Sequence, residues 1–73
     1  MGVFPYGWVR ELGGDNWQLM WNSDTKAFYA KGAILEKIID IGKADSWQEA
    51  RALASKVQDK PEEYLNPDNA LRG

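Results

Sequence analysis

Trp8-Val9-Arg10-Glu11-Leu12-Gly13-Gly14-Asp15-Asn16-Trp17-Gln18-Leu19-Met20-Trp21 is the stretch whose reading decides the fold. Aromatic and branched side chains, which suit a pleated surface, stand on both sides of a cluster that tolerates positive φ or bonds its own backbone. That pattern predicts a β-hairpin: a strand over Trp8–Leu12, a turn at Gly13–Asn16 and a strand over Trp17–Trp21. Downstream, Asn22-Ser23-Asp24-Thr25-Lys26 is a second turn signal and Ala27–Lys31 a third strand, so two hairpins in series form a meander.

Beyond it, Ala33–Ile41 has apolar residues at 34, 35, 38, 39 and 41. This spacing fits a short amphipathic helix closed by Gly42, whereas the isoleucines and the missing N-cap fit a strand over Glu36–Ile41. The strand is the preferred reading. From Trp47 the periodicity turns helical, with Trp47, Ala50, Leu53, Ala54 and Val57 on one side. Ser46 and Glu49 form an S-x-x-E capping box. Pro61 can open one more turn, because its missing N–H costs nothing at the first helical position. The fold class expected is α+β: an antiparallel β-meander of three to four strands packed by one C-terminal α-helix. Residues 1–65 form a single domain and residues 66–73 a disordered tail.

Composition sets limits around this frame. Seventy-three residues make one domain, with stability of about 3–5 kcal/mol unless something reinforces it. Cysteine and histidine are both absent. No disulfide can form, and the common soft metal ligands and nucleophile–base pairs are missing. Ser23, Ser46 and Ser55 read as turn, cap and helix surface. Asp24, Asp40 and Asp45 read as turn, strand surface and the residue before the cap. Gly13-Gly14 is not followed by the G-K-[ST] of a phosphate loop. The expectation is therefore a chain that is not an enzyme and uses no cofactor and no metal. No apolar run is long enough for a membrane helix, and the first residues lack the form of a secretory signal, so the expected location is cytoplasmic.

Loop lengths fix which residues oppose one another. With Gly13–Asn16 as a four-residue loop, Leu12 faces Trp17, Arg10 faces Leu19 and Trp8 faces Trp21. With Ser23–Lys26 as the next loop, Trp21 faces Phe28, Met20 faces Tyr29 and Leu19 faces Ala30. Opposed residues share a side of the sheet. One face then carries Trp8, Arg10, Leu12, Trp17, Leu19, Trp21, Phe28 and Ala30, covered by a helix anchored through Trp47, Leu53 and Val57. The other carries an apolar row, Val9–Met20–Tyr29, bordered by Glu11, Gln18 and Lys31. These six form the expected partner-binding site. A four-stranded sheet is roughly 19 Å wide and a helix about 10–12 Å. A single helix covers little more than half of one face, and the remainder falls to the Val3–Tyr6 segment, to the Tyr64-Leu65 turn or to another molecule; the expected partner is another protein chain or a second copy in a homodimer.

The order of three strands and a helix resembles the small arm-binding domains of tyrosine-type integrases, which lay a three-stranded sheet in the DNA groove. That resemblance implies a nucleic-acid-binding alternative on the open face. The net charge of −2 counts against it, because phosphate neutralisation by basic side chains dominates such binding. The function expected first is a small non-catalytic protein-interaction or regulatory module.

Overall fold

A computed structural model describes residues 2–65; the tail expected over residues 66–73 lies outside the described residues. Four strands follow one another, β1 (Val3–Leu12), β2 (Asp15–Asn22), β3 (Ala27–Gly32) and β4 (Ile38–Lys43). They pair in chain order as one antiparallel sheet. Helix α1 (Trp47–Asp59) and the single turn α2 (Pro61–Tyr64) complete the α+β architecture. The segment that reads two ways is a strand, two residues further on than expected at each end.

The helix begins where the capping box places it. The Ser46 hydroxyl accepts the Glu49 N–H at 3.3 Å, and the Glu49 carboxylate reaches back to the Asp45 N–H at 2.8 Å. One donor that the first turn leaves free and one just before the cap are thus satisfied. Buried Ala50, Ala54 and Val57 form the inward stripe. The small alanines let the helix lie close to the sheet, and Gln58 donates to the Trp8 carbonyl across β1 at 3.4 Å.

Trp47 does not anchor this packing. It is 55% exposed. A Cα–Cβ bond leans toward the helix N-terminus, so a side chain at the first helical position projects off the end rather than onto the sheet. Trp47 instead walls a cleft of about 370 Å³ with Phe4, Tyr6, Trp21 and Ser23.

The β2–β3 register is the expected one, with Trp21 opposite Phe28, Met20 opposite Tyr29 and Leu19 opposite Ala30. The β1–β2 register is not. The loop is Gly13-Gly14 alone, and Leu12 faces Asp15. Both glycines have positive φ, 61° and 78°, as a two-residue hairpin loop that follows the strand twist requires. Two bulges then shift β1. Arg10 and Glu11 together oppose Asn16, with Glu11 at φ 56°, and Tyr6 is inserted between Pro5 and Gly7. The result is a three-residue slip, with Trp8 opposite Gln18 rather than Trp21 and Val9 opposite Trp17. An odd slip turns the middle of β1 over.

Val9 is therefore buried, together with Trp17, Leu19, Trp21, Phe28, Ala30, Ile39, Val57 and Leu65. Trp8 and Arg10, expected inside, are exposed, and Leu12 is half-buried at the margin. Tyr6, displaced by its bulge, packs against Trp21 and Phe28 with ring centroids 6.3 Å from each.

Buried indole N–H groups need acceptors. Trp17 donates to the Leu12 carbonyl at 2.7 Å and Trp21 to the Ala44 carbonyl at 2.9 Å. The second bond ties β2 to the junction between β4 and α1. Phe28 is fully buried. Phe28→Ala should cost about 3–5 kcal/mol through lost transfer energy and a cavity. Trp47→Ala should cost only about 1 kcal/mol, since much of its ring already meets water. Urea titrations of the two variants should show this order; the reverse order would contradict the packing.

Candidate functional site

Two rows of side chains cross the sheet face turned away from the helices. One runs Trp8, Gln18, Lys31, Ile38 and the next Pro5, Met20, Tyr29, Asp40, each contributed by β1 to β4 in turn. Trp8 is 44% exposed. Met20, Tyr29, Gln18 and Ile38 are half-buried, and Lys31 and Asp40 are exposed. Trp8, Gln18 and Lys31 also line a shallow hollow of about 250 Å³ with Ala33 and Glu36. The rings and thioether thus share one surface with a few polar groups.

Of the six residues expected here, four come together: Met20, Tyr29, Gln18 and Lys31. Val9 does not, because the bulge puts it in the core. Glu11 is exposed at that bulge and borders a separate hollow with Gly14, Asp15, Asn16 and Ile34. Trp8 is the residue that reasoning from the sequence missed. Its signal, a turn of only two glycines, would not have been sufficient. A two-residue loop without the bulge still sends Trp8 inward opposite Leu19.

One end of this face is held by a buried charge. Asp15 is only 2% exposed. Its carboxylate accepts the N–H groups of Asn16 at 2.7 Å and of Ile34 and Leu35 at 2.8 Å each. The Ala33 N–H bonds the Asn16 carbonyl at 2.9 Å, and the Gly32 N–H bonds the Lys37 carbonyl at 2.8 Å. The β3–β4 loop is thereby fixed to the start of β2. Gly32 must lack a side chain there, because a Cβ would collide with the Asp15 carboxylate and lie 3.4 Å from the Trp17 ring. Burial alone would raise the Asp15 carboxyl, but the hydrogen bonds from the backbone N–H groups of Leu35, Ile34 and Asn16 outweigh it and hold the group below its ordinary value. The clamp presents Ile34 and Leu35 at the loop tip, 68% and 50% exposed.

Among the described residues, no three His, Cys, Asp or Glu side chains come together as a metal site, and no helix is long and apolar enough to cross a membrane. No protein-family model matches the chain, and neither the curated proteins nor the solved structures include a match.

The Asp15 clamp predicts an acid dependence. A carboxyl held lower in the folded state than in the unfolded chain stabilises the fold above the unfolded value, about 3.9, and that contribution disappears as pH falls through the folded value. Asp15→Asn should lower the melting temperature near neutral pH and flatten its fall below about pH 4. Amide exchange at Ile34 and Leu35 should accelerate in the same variant. Unchanged exchange at both amides would contradict the clamp.

Proposed function

We propose that the chain is a small non-catalytic protein-interaction or regulatory module that binds a protein partner through the open sheet face. The observation that carries this reading is the half-exposed Trp8 on the face opposite the core, which it shares with Met20 and Tyr29 of the neighbouring row. Isolated surface apolar residues are ordinary, but contiguous ones rimmed by polar groups mark interaction sites. Aromatic and methionine side chains are also enriched, and charges depleted, at interface centres. Here Lys31 and Asp40 border the apolar groups on the β3–β4 side, and Gln18 lies between Trp8 and Lys31. The open face thus replaces the expected row, with Trp8 in place of Val9. The cytosol is the compartment we assign, and the absence of cysteine agrees with it without establishing it.

The rival reading is nucleic-acid binding, and the register gives it one specific support. Trp8 and Tyr29 lie on the same face as Lys31, as in sheets that stack single-stranded bases. Net charge of −2 counts against it.

The test uses the full chain as bait in cell extract, with Met20→Asp and Tyr29→Asp beside the wild type. Both variants should keep the wild-type circular dichroism, since neither side chain enters the core, and both should lose the proteins captured by the wild type. Retention of every captured protein by the folded variants would contradict the reading. A labelled oligonucleotide distinguishes the rival: binding that weakens steeply with salt and is lost in Trp8→Ala and Lys31→Ala favours nucleic acid.

A further inference from the structure

The open face carries its own complement, and from this we infer that its partner is a second copy of the chain, bound face to face. The inference rests on the open-face reading and specifies the occupant. Apolar groups concentrate on the β1–β2 side, as Pro5, Trp8 and Met20. Charge lies on the β3–β4 side, where Lys31 opposes Ile38, Asp40 opposes Tyr29 and Lys43 opposes Ala27. Glu36, which lines the hollow with Trp8 and Lys31, adds an anion two residues before Ile38.

A two-fold interface brings each patch against itself, so its residues must be self-complementary. A two-fold axis along the strands would lay the apolar β1 side on the charged β4 side. An axis across the strands, passing between the two rows, does the opposite. The Trp8 ring then lies on the partner's Pro5 and Met20. Lys31 comes to the partner's Asp40 with a sideways offset of one strand spacing, about 4.8 Å, which a lysine side chain can span. Glu36 and Lys43, lying beyond the two rows on opposite sides, face one another in both directions. Lys31, Asp40, Glu36 and Lys43 thereby each meet an opposite charge, while Arg10 and Glu11 stay at the β1 end of the face, outside these pairs.

The area suits a weak dimer. Four strands at about 4.8 Å spacing span roughly 19 Å, and the six-residue strands β3 and β4 run about 20 Å. A face-to-face pair would cover roughly 400 Å² of sheet per protomer, about half of the roughly 800 Å² a side of standard interfaces. Stacked sheets pack with their strands within about 30° of alignment, which this arrangement allows.

Sedimentation of the full chain from roughly 1 to 300 µM spans the affinities such an interface supports. The wild type should show a concentration-dependent dimer, and Trp8→Asp should abolish it. Glu36→Lys and Lys43→Glu should each weaken the dimer about tenfold, because each replaces two attractive pairs by two repulsive ones. The Glu36→Lys/Lys43→Glu double variant should return to near the wild-type affinity. If that double variant fails to fold, Lys31→Asp/Asp40→Lys provides the same comparison. A wild type that stays monomeric throughout overturns the inference. So does a dimer insensitive to Trp8→Asp, or a folded charge swap that fails to restore association. A monomeric wild type whose captured proteins are still lost on Met20→Asp would remove the second copy as partner and leave the open-face reading standing.

Discussion

The burial of one carboxylate constrains most of this small structure. Asp15 sits where β2 begins, and its charge can be buried only because three backbone N–H groups converge on it. Two of those donors come from the β3–β4 loop, so satisfying Asp15 joins the start of β2 to the far end of β3. The same need requires glycine at position 32. It also places Asp15 in the strand rather than in the preceding turn, which leaves Gly13 and Gly14 alone to reverse the chain. Asn16 acts beside it, with its side-chain oxygen accepting the Glu11 N–H at 3.0 Å and supporting the bulge.

From that corner the division between core and open face follows. The bulge at Glu11 turns β1 over, giving Val9 to the core and Trp8 to the surface. Helix α1 then completes the core with small side chains, and Tyr6, Leu12 and Tyr64 fill its margins. With the helical layer on one side only, the other side of the sheet keeps an aromatic ring, a thioether and a phenol together. A domain of this length gains little from its core alone, so burial of that face by another chain would add appreciably to its stability as well as serve recognition.

Much of this was legible in the sequence. Strand-forming residues before position 32 and helix formers after position 46 separate the sheet from the helix, and the capping box places the start of α1. The β2–β3 register follows from the Asn22–Lys26 turn, where the Asn22 side chain accepts the N–H groups of Asp24 and Thr25. The β1 register was not legible, for a physical reason. Asp15 and Asn16 are turn formers by composition, but here their side chains bond to the backbone of other segments. The first bulge depends on Asn16, whose bond to Glu11 exists only once the hairpin has closed. Neither bulge leaves a period in the sequence. The consequence fell on the site: Met20, Tyr29, Gln18 and Lys31 are on β2 and β3 and were placed correctly, whereas Val9 and Glu11 on β1 were not. Trp47 failed differently, since helical spacing shows which side a residue shares but not that a first-turn side chain projects off the helix end.

Most therefore depends on the register of β1 against β2, since it decides whether Trp8 or Val9 enters the core and which of them the open face presents. Side-chain nuclear Overhauser effects measure it directly. The account predicts cross-peaks from the Val9 methyls to the Trp17 ring and from the Trp8 ring to Gln18, with none between the Trp8 and Trp21 rings. Cross-peaks linking the Trp8 and Trp21 rings would contradict it, returning Trp8 to the core and Val9 to the open face.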